Sequence, residues 1–74
     1  MSKNIIEITN ASLKDARNTA LRLTDTYGKW ADYDSSVIEN IKGVLKMADH
    51  KAELATVLNF HFKEYVTVIN GDSN

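Results

Sequence analysis

The sequence predicts an all-α protein: an antiparallel helical hairpin, with a helix over about 12–33 and a long helix over about 36–69, that dimerises into a four-helix bundle. The first observation is the composition, because the 74 residues include no proline and only three glycines. The second is a seven-residue apolar repeat in the second half of the chain, which is typical of an amphipathic helix. The third is a pair of helix-start signals at Ser12 and Ser36. A chain of this length is expected to form one domain, residues 1–74.

Residues 1–10 are predicted to form an arm that precedes the first helix. Within it, residues 4–9 are rich in β-branched side chains that roughly alternate with others. We expect this segment to pack on the helices or to extend the first helix at its start. The alternative is a short strand paired with residues 65–69, the other β-rich run. An isolated pair of strands has little stability in water, which favours the arm.

The first helix is predicted to begin at Ser12, since Ser12 and Asp15 have the spacing of a capping box. Apolar side chains then recur at steps of three and four residues, as in a helix packed in a bundle. They are Leu13, Ala16, Ala20, Leu23, Tyr27 and Trp30. Gly28 lies inside this pattern, and we expect it to make room for Trp30 or to begin the C-terminal turn.

The second helix follows a loop over residues 32–36 and starts with a full capping box, Ser36 with Glu39. Three neighbouring rows with seven-residue spacing cover fifteen positions of this helix, and only two of these positions are polar. The pattern keeps its phase through residues 48–50. We therefore predict one unbroken helix that stops near Asn70, followed by a frayed tail over 71–74.

The unequal lengths of the two helices predict self-association. A helix over 36–69 would be about 50 Å long, against about 30 Å for the first helix, so a second copy is expected to cover the remainder in a four-helix bundle. The residues assigned to self-association are Ile41, Ala48, Ala55, Leu58, Phe62, Tyr65 and Ile69. A break near Asp49, which is a good N-cap residue, gives the alternative of a monomeric three-helix bundle.

The opposite side of the second helix is charged up to Glu53 and then becomes apolar. A helix that is apolar nearly all round is buried on more than one side, by the N-terminal arm, by another subunit or by a partner protein. The residues assigned to partner binding on this strip are Leu54, Val57, Phe60, Glu64 and Val68.

No pattern typical of a catalytic, nucleotide-binding or cofactor-binding site is present. The chain has no cysteine, so it has neither disulfides nor thiolate metal ligands. His50 with Glu53, and His61 with Glu64, have a spacing that can bind a divalent metal ion. The two pairs would lie about 16 Å apart on a continuous helix, and we interpret them as solvated surface pairs. We expect no catalytic residue, no metal and no cofactor, and hence no enzyme.

These features predict a small non-enzymatic protein–protein interaction module, acting as a bacterial or phage regulator, adaptor or inhibitor. Its partner would be another protein, together with a second copy of the chain in a homodimer. The net charge of −1 does not favour a polyanionic partner. No apolar run approaches the about 18 residues of a membrane span, and a cytoplasmic location is expected.

A nucleic-acid-binding helical bundle is the alternative function. Its surface would be the outer face of the first helix, formed by Lys14, Arg17, Arg22 and Lys29. Two aspartates interleave with these residues and halve the charge of that face, whereas phosphate binding needs a clustered basic patch. The hairpin is similar in shape to the Rop family of plasmid copy-number regulators, which are dimeric RNA-binding four-helix bundles. The resemblance is one of architecture and carries over no motif.

Overall fold

The computed structural model describes residues 4–7 and 12–69. Its elements, in chain order, are strand β1 (Asn4–Glu7), helix α1 (Leu13–Trp30), helix α2 (Ser35–Met47), helix α3 (Lys51–Phe62) and strand β2 (Val66–Ile69). The protein is mostly helical, with three helices packed together, which is consistent with the all-α prediction. The rest of the predicted arm and the predicted tail lie outside the described residues.

Helix α1 begins where the sequence predicts and ends earlier. Ser12 is its N-cap, and the Ser12 hydroxyl accepts a hydrogen bond of 3.1 Å from the Asp15 N–H. At the other end, Asp32 adopts the left-handed conformation, with a φ of 60°. The N–H groups of Asp32 and Tyr33 donate back to the carbonyl oxygens of Lys29 and Gly28. This pair of bonds is a Schellman motif, which closes the helix and turns the chain toward α2.

Helix α2 starts two residues before the predicted position and packs closely on α1. Asp34 is the N-cap, so the predicted capping box of Ser36 with Glu39 is wrong. Gly28 permits the close approach, because a Cβ atom on it would lie 2.8 Å from two carbon atoms of Ile38. The space beside Gly28 is therefore occupied by Ile38 of α2. The prediction that Gly28 makes room for Trp30 is wrong.

The predicted unbroken second helix is wrong, and the alternative break near Asp49 is confirmed. Helix α2 ends at Met47, and the backbone of Ala48 is extended, with a ψ of 136°. His50 is also extended and is the N-cap of α3. The Glu53 carboxylate accepts hydrogen bonds from the N–H groups of Asp49 and His50, at 3.0 and 3.1 Å. These bonds satisfy donors at the start of α3 and stabilise the reversal.

Residues at the end of the predicted long helix form a strand. Strand β2 pairs in parallel with β1, and the register sets Ile5 opposite Thr67 and Ile6 opposite Val68. In β2, Val66 and Val68 are buried while the residues that follow each of them are more exposed, the alternation of a strand with one covered face. The strand pair considered as an alternative is therefore the observed structure over residues 4–7. For residues 4–7, the prediction of an arm packed on the helices or of an extension of the first helix is wrong.

The core lies between the three helices and the inner face of β2. Its largest fully buried side chains are Leu45, Leu54, Leu58, Phe62 and Val66. On α1 the buried positions are mostly small, which lets α2 and α3 approach it. Thr24 is the one buried polar side chain among the described residues, and its hydroxyl donates to the Ala20 carbonyl at 2.9 Å. No helix within residues 12–69 is both long enough and apolar enough to cross a membrane.

Candidate interaction surface on helices α2 and α3

The residues assigned to self-association lie mostly inside the single chain. Five of the seven are buried: Ile41, Ala48, Ala55, Leu58 and Phe62. Tyr65 is half-buried and Ile69 is exposed. The reason for expecting a second copy on these residues was one long helix beside a short one. That reason is absent, because α1, α2 and α3 have 18, 13 and 12 residues. The five buried side chains are unavailable to a second copy in this fold.

Of the five residues assigned to partner binding, some are buried in the core and others are exposed. Leu54 and Val68 are buried in the core, which corrects their assignment to an exposed surface. Val57 is half-buried, whereas Phe60 is 76% exposed and Glu64 is also exposed. Val57 and Phe60 are three residues apart on α3 and therefore lie on one face of that helix.

A groove between α2 and α3 extends this exposed apolar face. It has a volume of about 280 Å³ and is lined by Val44, Met47, Ala48, Glu53 and Val57. Val44 is 53% exposed and Met47 is 81% exposed. We call the set Val44, Met47, Val57 and Phe60 the α2–α3 apolar surface. It forms because the reversal after α2 brings the ends of two helices together, each with an apolar side chain pointing outward.

Sequence reasoning missed the α2 half of this surface. Val44 lies in one of the three apolar rows of the predicted second helix, and the sequence assigns Met47 to no surface. The seven-residue rows predict burial correctly only if residues 36–69 form one continuous helix, because all residues of a row then face the same packing partner. After the break, α2 buries only Ile41 and Leu45, with Ala48 just beyond its end. The sequence carries no signal for the exposure of Val44, because the apolar rows keep their phase through residues 48–50.

A second cleft, of about 310 Å³, lies beside Phe60 on the other side. It is lined by Ala31, Tyr33, Phe60, His61, Lys63, Glu64 and Tyr65. The Tyr33 hydroxyl donates to the His61 carbonyl at 3.0 Å and holds the end of α1 against α3. Tyr33 also packs on Phe62, with 5.7 Å between ring centroids. The cleft is thus a consequence of how the chain closes the helical bundle.

The aromatic residues at the end of α1 pack mainly against Phe62 and Tyr65, at and just after the end of α3. Tyr27 is buried, and its ring centroid lies 6.2 Å from those of both Phe62 and Tyr65. Trp30 is exposed and meets Tyr27 edge to face at 5.1 Å. These contacts hold the end of α1 against the end of α3.

The two histidine–glutamate pairs have different surroundings: the first lies at the start of α3, and the second lines the second cleft. The carboxylate of Glu53 accepts two backbone hydrogen bonds at the start of α3. His61 and Glu64 both line the second cleft. Within residues 4–7 and 12–69, no three histidine, aspartate or glutamate side chains lie close enough to hold a metal ion together.

Arg17, one of the four basic residues assigned to the outer face of α1, points toward the end of α2 instead. Arg17 is half-buried, and its guanidinium donates to the carbonyl oxygens of Leu45 at 3.3 Å and Ala48 at 2.6 Å. A cation in this position satisfies the C-terminal carbonyls of α2 and complements the helix dipole. Arg17 therefore stabilises the fold and is not part of an outer basic surface, which corrects its assignment. The remaining residues of that face, Lys14, Arg22 and Lys29, are exposed.

An ion pair with Lys42 of α2 neutralises Asp25, one of the aspartates of α1. The Lys42 ammonium of α2 lies 2.8 Å from the Asp25 carboxylate of α1 and 3.6 Å from that of Glu39. The hydrogen bond to Asp25 raises the pKa of Lys42 above its ordinary value of 10.5. The pair links α1 to α2 and leaves the surrounding surface mixed in sign.

Comparison of the chain with protein-family models, with curated proteins and with solved structures finds no match.

Proposed function

We propose that this protein is a non-enzymatic protein-binding module whose α2–α3 apolar surface docks an amphipathic segment of a partner protein. A regulator, adaptor or inhibitor of the bacterial or phage kind would act in this way, by occupying a surface of its target. The observation that carries the proposal is the apolar groove between α2 and α3, lined by the exposed Val44 and Met47 and the half-buried Val57, with Phe60 exposed three residues further along α3. Contiguous apolar patches on small proteins tend to be interaction sites.

The energetics favour docking on this surface. Burying a side chain of the size of Met47 or Phe60 contributes about 1.5–3 kcal/mol, so covering both contributes about 3–6 kcal/mol before the costs of association. The groove beside Met47 is concave, and a row of apolar side chains from a partner helix would fit along it. Methionine adapts its shape readily to such a partner.

The charges around the surface support a partner of stated chemistry. Glu53 lines the groove at the start of α3, and Glu64 lies beyond Phe60 just after the end of α3. Glu53 is the charged residue that lines the groove, whereas Glu64 shares the cleft beside Phe60 with Lys63, so that end is mixed in sign. The complementary partner is an amphipathic helix with an apolar row and a basic residue toward the Glu53 end, because opposite charges steer association and set register.

The experiment has two steps. Tagged protein is first used to capture binding proteins from cells of the source organism, and the captured protein is then purified. Its affinity is measured by calorimetry for the wild type and for Met47→Asp and Phe60→Asp. We expect each substitution to weaken binding by about tenfold or more, since each removes at least about 1.4 kcal/mol of apolar contact. Asn18→Asp, which adds the same charge at an exposed position of α1, is the control and should bind as the wild type does.

Salt dependence separates this proposal from the nucleic-acid alternative. An apolar complex should lose little affinity when the salt concentration rises tenfold. A complex that neutralises three phosphates, through Lys14, Arg22 and Lys29, should weaken about 500-fold over the same range. Capture of nucleic acid with that salt dependence, or full partner affinity in both Met47→Asp and Phe60→Asp, would overturn the proposal.

A further inference from the structure

The outer edge of strand β2 is closed by a side chain of α3. The Asn59 amide group donates to the Val68 carbonyl at 2.8 Å and accepts from the Val68 N–H at 2.8 Å. It therefore makes the two hydrogen bonds that a further strand would make at this residue. Helix α3 also packs along β2. A new strand cannot add to the sheet on this side.

The contact between Asn59 and Val68 also determines which backbone N–H and C=O groups of β1 point toward β2 and which point away from it. Since the N–H and C=O of Val68 point to Asn59, the groups that bond β1 belong to the alternate residue, Thr67. In a parallel ladder, one residue bonds the two neighbours of its partner and not the partner itself. Thr67 is the register partner of Ile5, so it bonds Asn4 and Ile6. The N–H and C=O of Ile5 then point away from β2, toward the other edge of the sheet.

This other edge carries an exposed apolar side chain. The Ile5 side chain is 68% exposed, whereas the Ile6 side chain reaches the core. Among the helices and strands of the described residues, the backbone of β1 lies close only to β2. A sheet of two strands is marginal alone, and proteins usually protect an exposed edge with proline, charged side chains (especially lysine), a bulge or a very short strand. Strand β1 is short, with four residues, but it contains neither proline nor lysine, and its one charged residue is Glu7 at its end.

We infer that the β1 edge is the contact between two copies of this chain, paired antiparallel about a two-fold axis through Ile5. The outward N–H and C=O of Ile5 make it a hydrogen-bonded position, and the same residue of a second copy offers the same two groups in reverse. Two Ile5 side chains would then lie opposite each other on one face of a four-stranded sheet, where such pairs stabilise pairing. Because the edge is complementary to itself, a second copy fits it without any feature from another protein.

The inference does not rest on the proposed function, since the β1 edge and the α2–α3 apolar surface are different parts of the molecule. Sedimentation equilibrium of the full chain from micromolar to millimolar concentration tests it. The average mass of the wild type should rise from 8.3 kDa toward twice that value. Ile5→Pro should keep the monomer mass throughout, because proline removes the outward N–H. The same substitution should leave the helical circular dichroism unchanged, because β2 does not use that N–H.

Two further variants and one direct measurement make the result decisive. Ile5→Val keeps the N–H and a β-branched side chain and should still dimerise, and Met47→Asp should dimerise as the wild type does. Protection of the Ile5 amide from hydrogen exchange should increase with wild-type protein concentration, which tests the edge even if Ile5→Pro fails to fold. A wild-type monomer at millimolar concentration, an Ile5→Pro dimer as strong as the wild type, or concentration-independent exchange at Ile5 would overturn the inference. Dimerisation lost only in Met47→Asp would assign it to the other surface.

Discussion

The contact between Asn59 and Val68 should carry a large share of the stability of the β2 end of the molecule. In Asn59→Ala, the N–H and C=O of Val68 lose both hydrogen bonds of 2.8 Å. Leaving a buried polar group without a partner costs about 1–3 kcal/mol, so the loss of both bonds should destabilise the protein by about 2–4 kcal/mol. A protein of this size has a total stability of about 4–11 kcal/mol. The expected fall in melting temperature is about 10–30 °C.

Denaturant unfolding and amide hydrogen exchange together measure this prediction. The unfolding midpoint gives the free energy of unfolding, and exchange at the Val68 amide reports the bond itself. Thr56→Ala is a matched control on the same helix, since it removes an exposed hydrogen bond of 2.9 Å to the Ala52 carbonyl. That control should change stability by less than about 0.5 kcal/mol.

A second variant at the same position separates the hydrogen bond from the packing. Asn59→Asp keeps the shape of the side chain but replaces the donor with an oxygen that faces the Val68 carbonyl. At neutral pH it should be at least as destabilising as Asn59→Ala. Equal stability of Asn59→Asp and the wild type, or an unchanged exchange rate at Val68 in Asn59→Ala, would refute the reasoning.

Three further predictions follow from single contacts. Arg17→Ala should destabilise the protein by about 1.5–3 kcal/mol in a denaturant titration, because it removes charged hydrogen bonds to the end of α2. Arg22 is exposed, so the control Arg22→Ala should change the free energy of unfolding by less than about 0.5 kcal/mol. Gly43→Ala should stabilise by about 0.5–1 kcal/mol, since a Cβ there meets nothing within 4 Å, while Gly28→Ala should destabilise by about 1 kcal/mol or more through contact with α2. The raised pKa of Lys42 means that its ion pair stabilises the folded state at and below pH 10.5 and that this contribution is lost as the pH rises through the folded-state pKa. The melting-temperature difference between the wild type and Lys42→Gln should therefore be constant near neutral pH and disappear above that pKa.

Each of these predictions has a contrary result. Equal effects of Arg17→Ala and Arg22→Ala would mean that the bonds to the α2 carbonyls contribute nothing. Equal effects of the two glycine substitutions would mean that α2 shifts freely on α1. A Lys42→Gln difference that grows at high pH would reverse the sign of the linkage.

The start of α1 and much of the core could be predicted from the sequence, because both depend on local spacing. Ser12 caps the helix through a bond to a residue three positions along, and that spacing is visible in the chain. Ala16, Ala20 and Tyr27 recur at helical steps and are buried as expected. Residues 4–9 and 65–69 were recognised as β-rich, although their pairing was only the alternative.

The sequence by itself determined that the chain is helical, where its first helix starts and which rows are apolar. These properties follow from hydrogen bonds and side-chain periods within a few residues. Only the tertiary structure decided the break at residues 48–50, because Ala48 continues the apolar row as a core residue whether or not the helix goes on. It also decided the parallel pairing of β1 with β2 and the contacts of Arg17 and Asn59. Those contacts join residues that are far apart in the sequence or lie on separate helices and strands. The sequence shows that such a residue is polar, but it does not show which backbone carbonyl the side chain will contact.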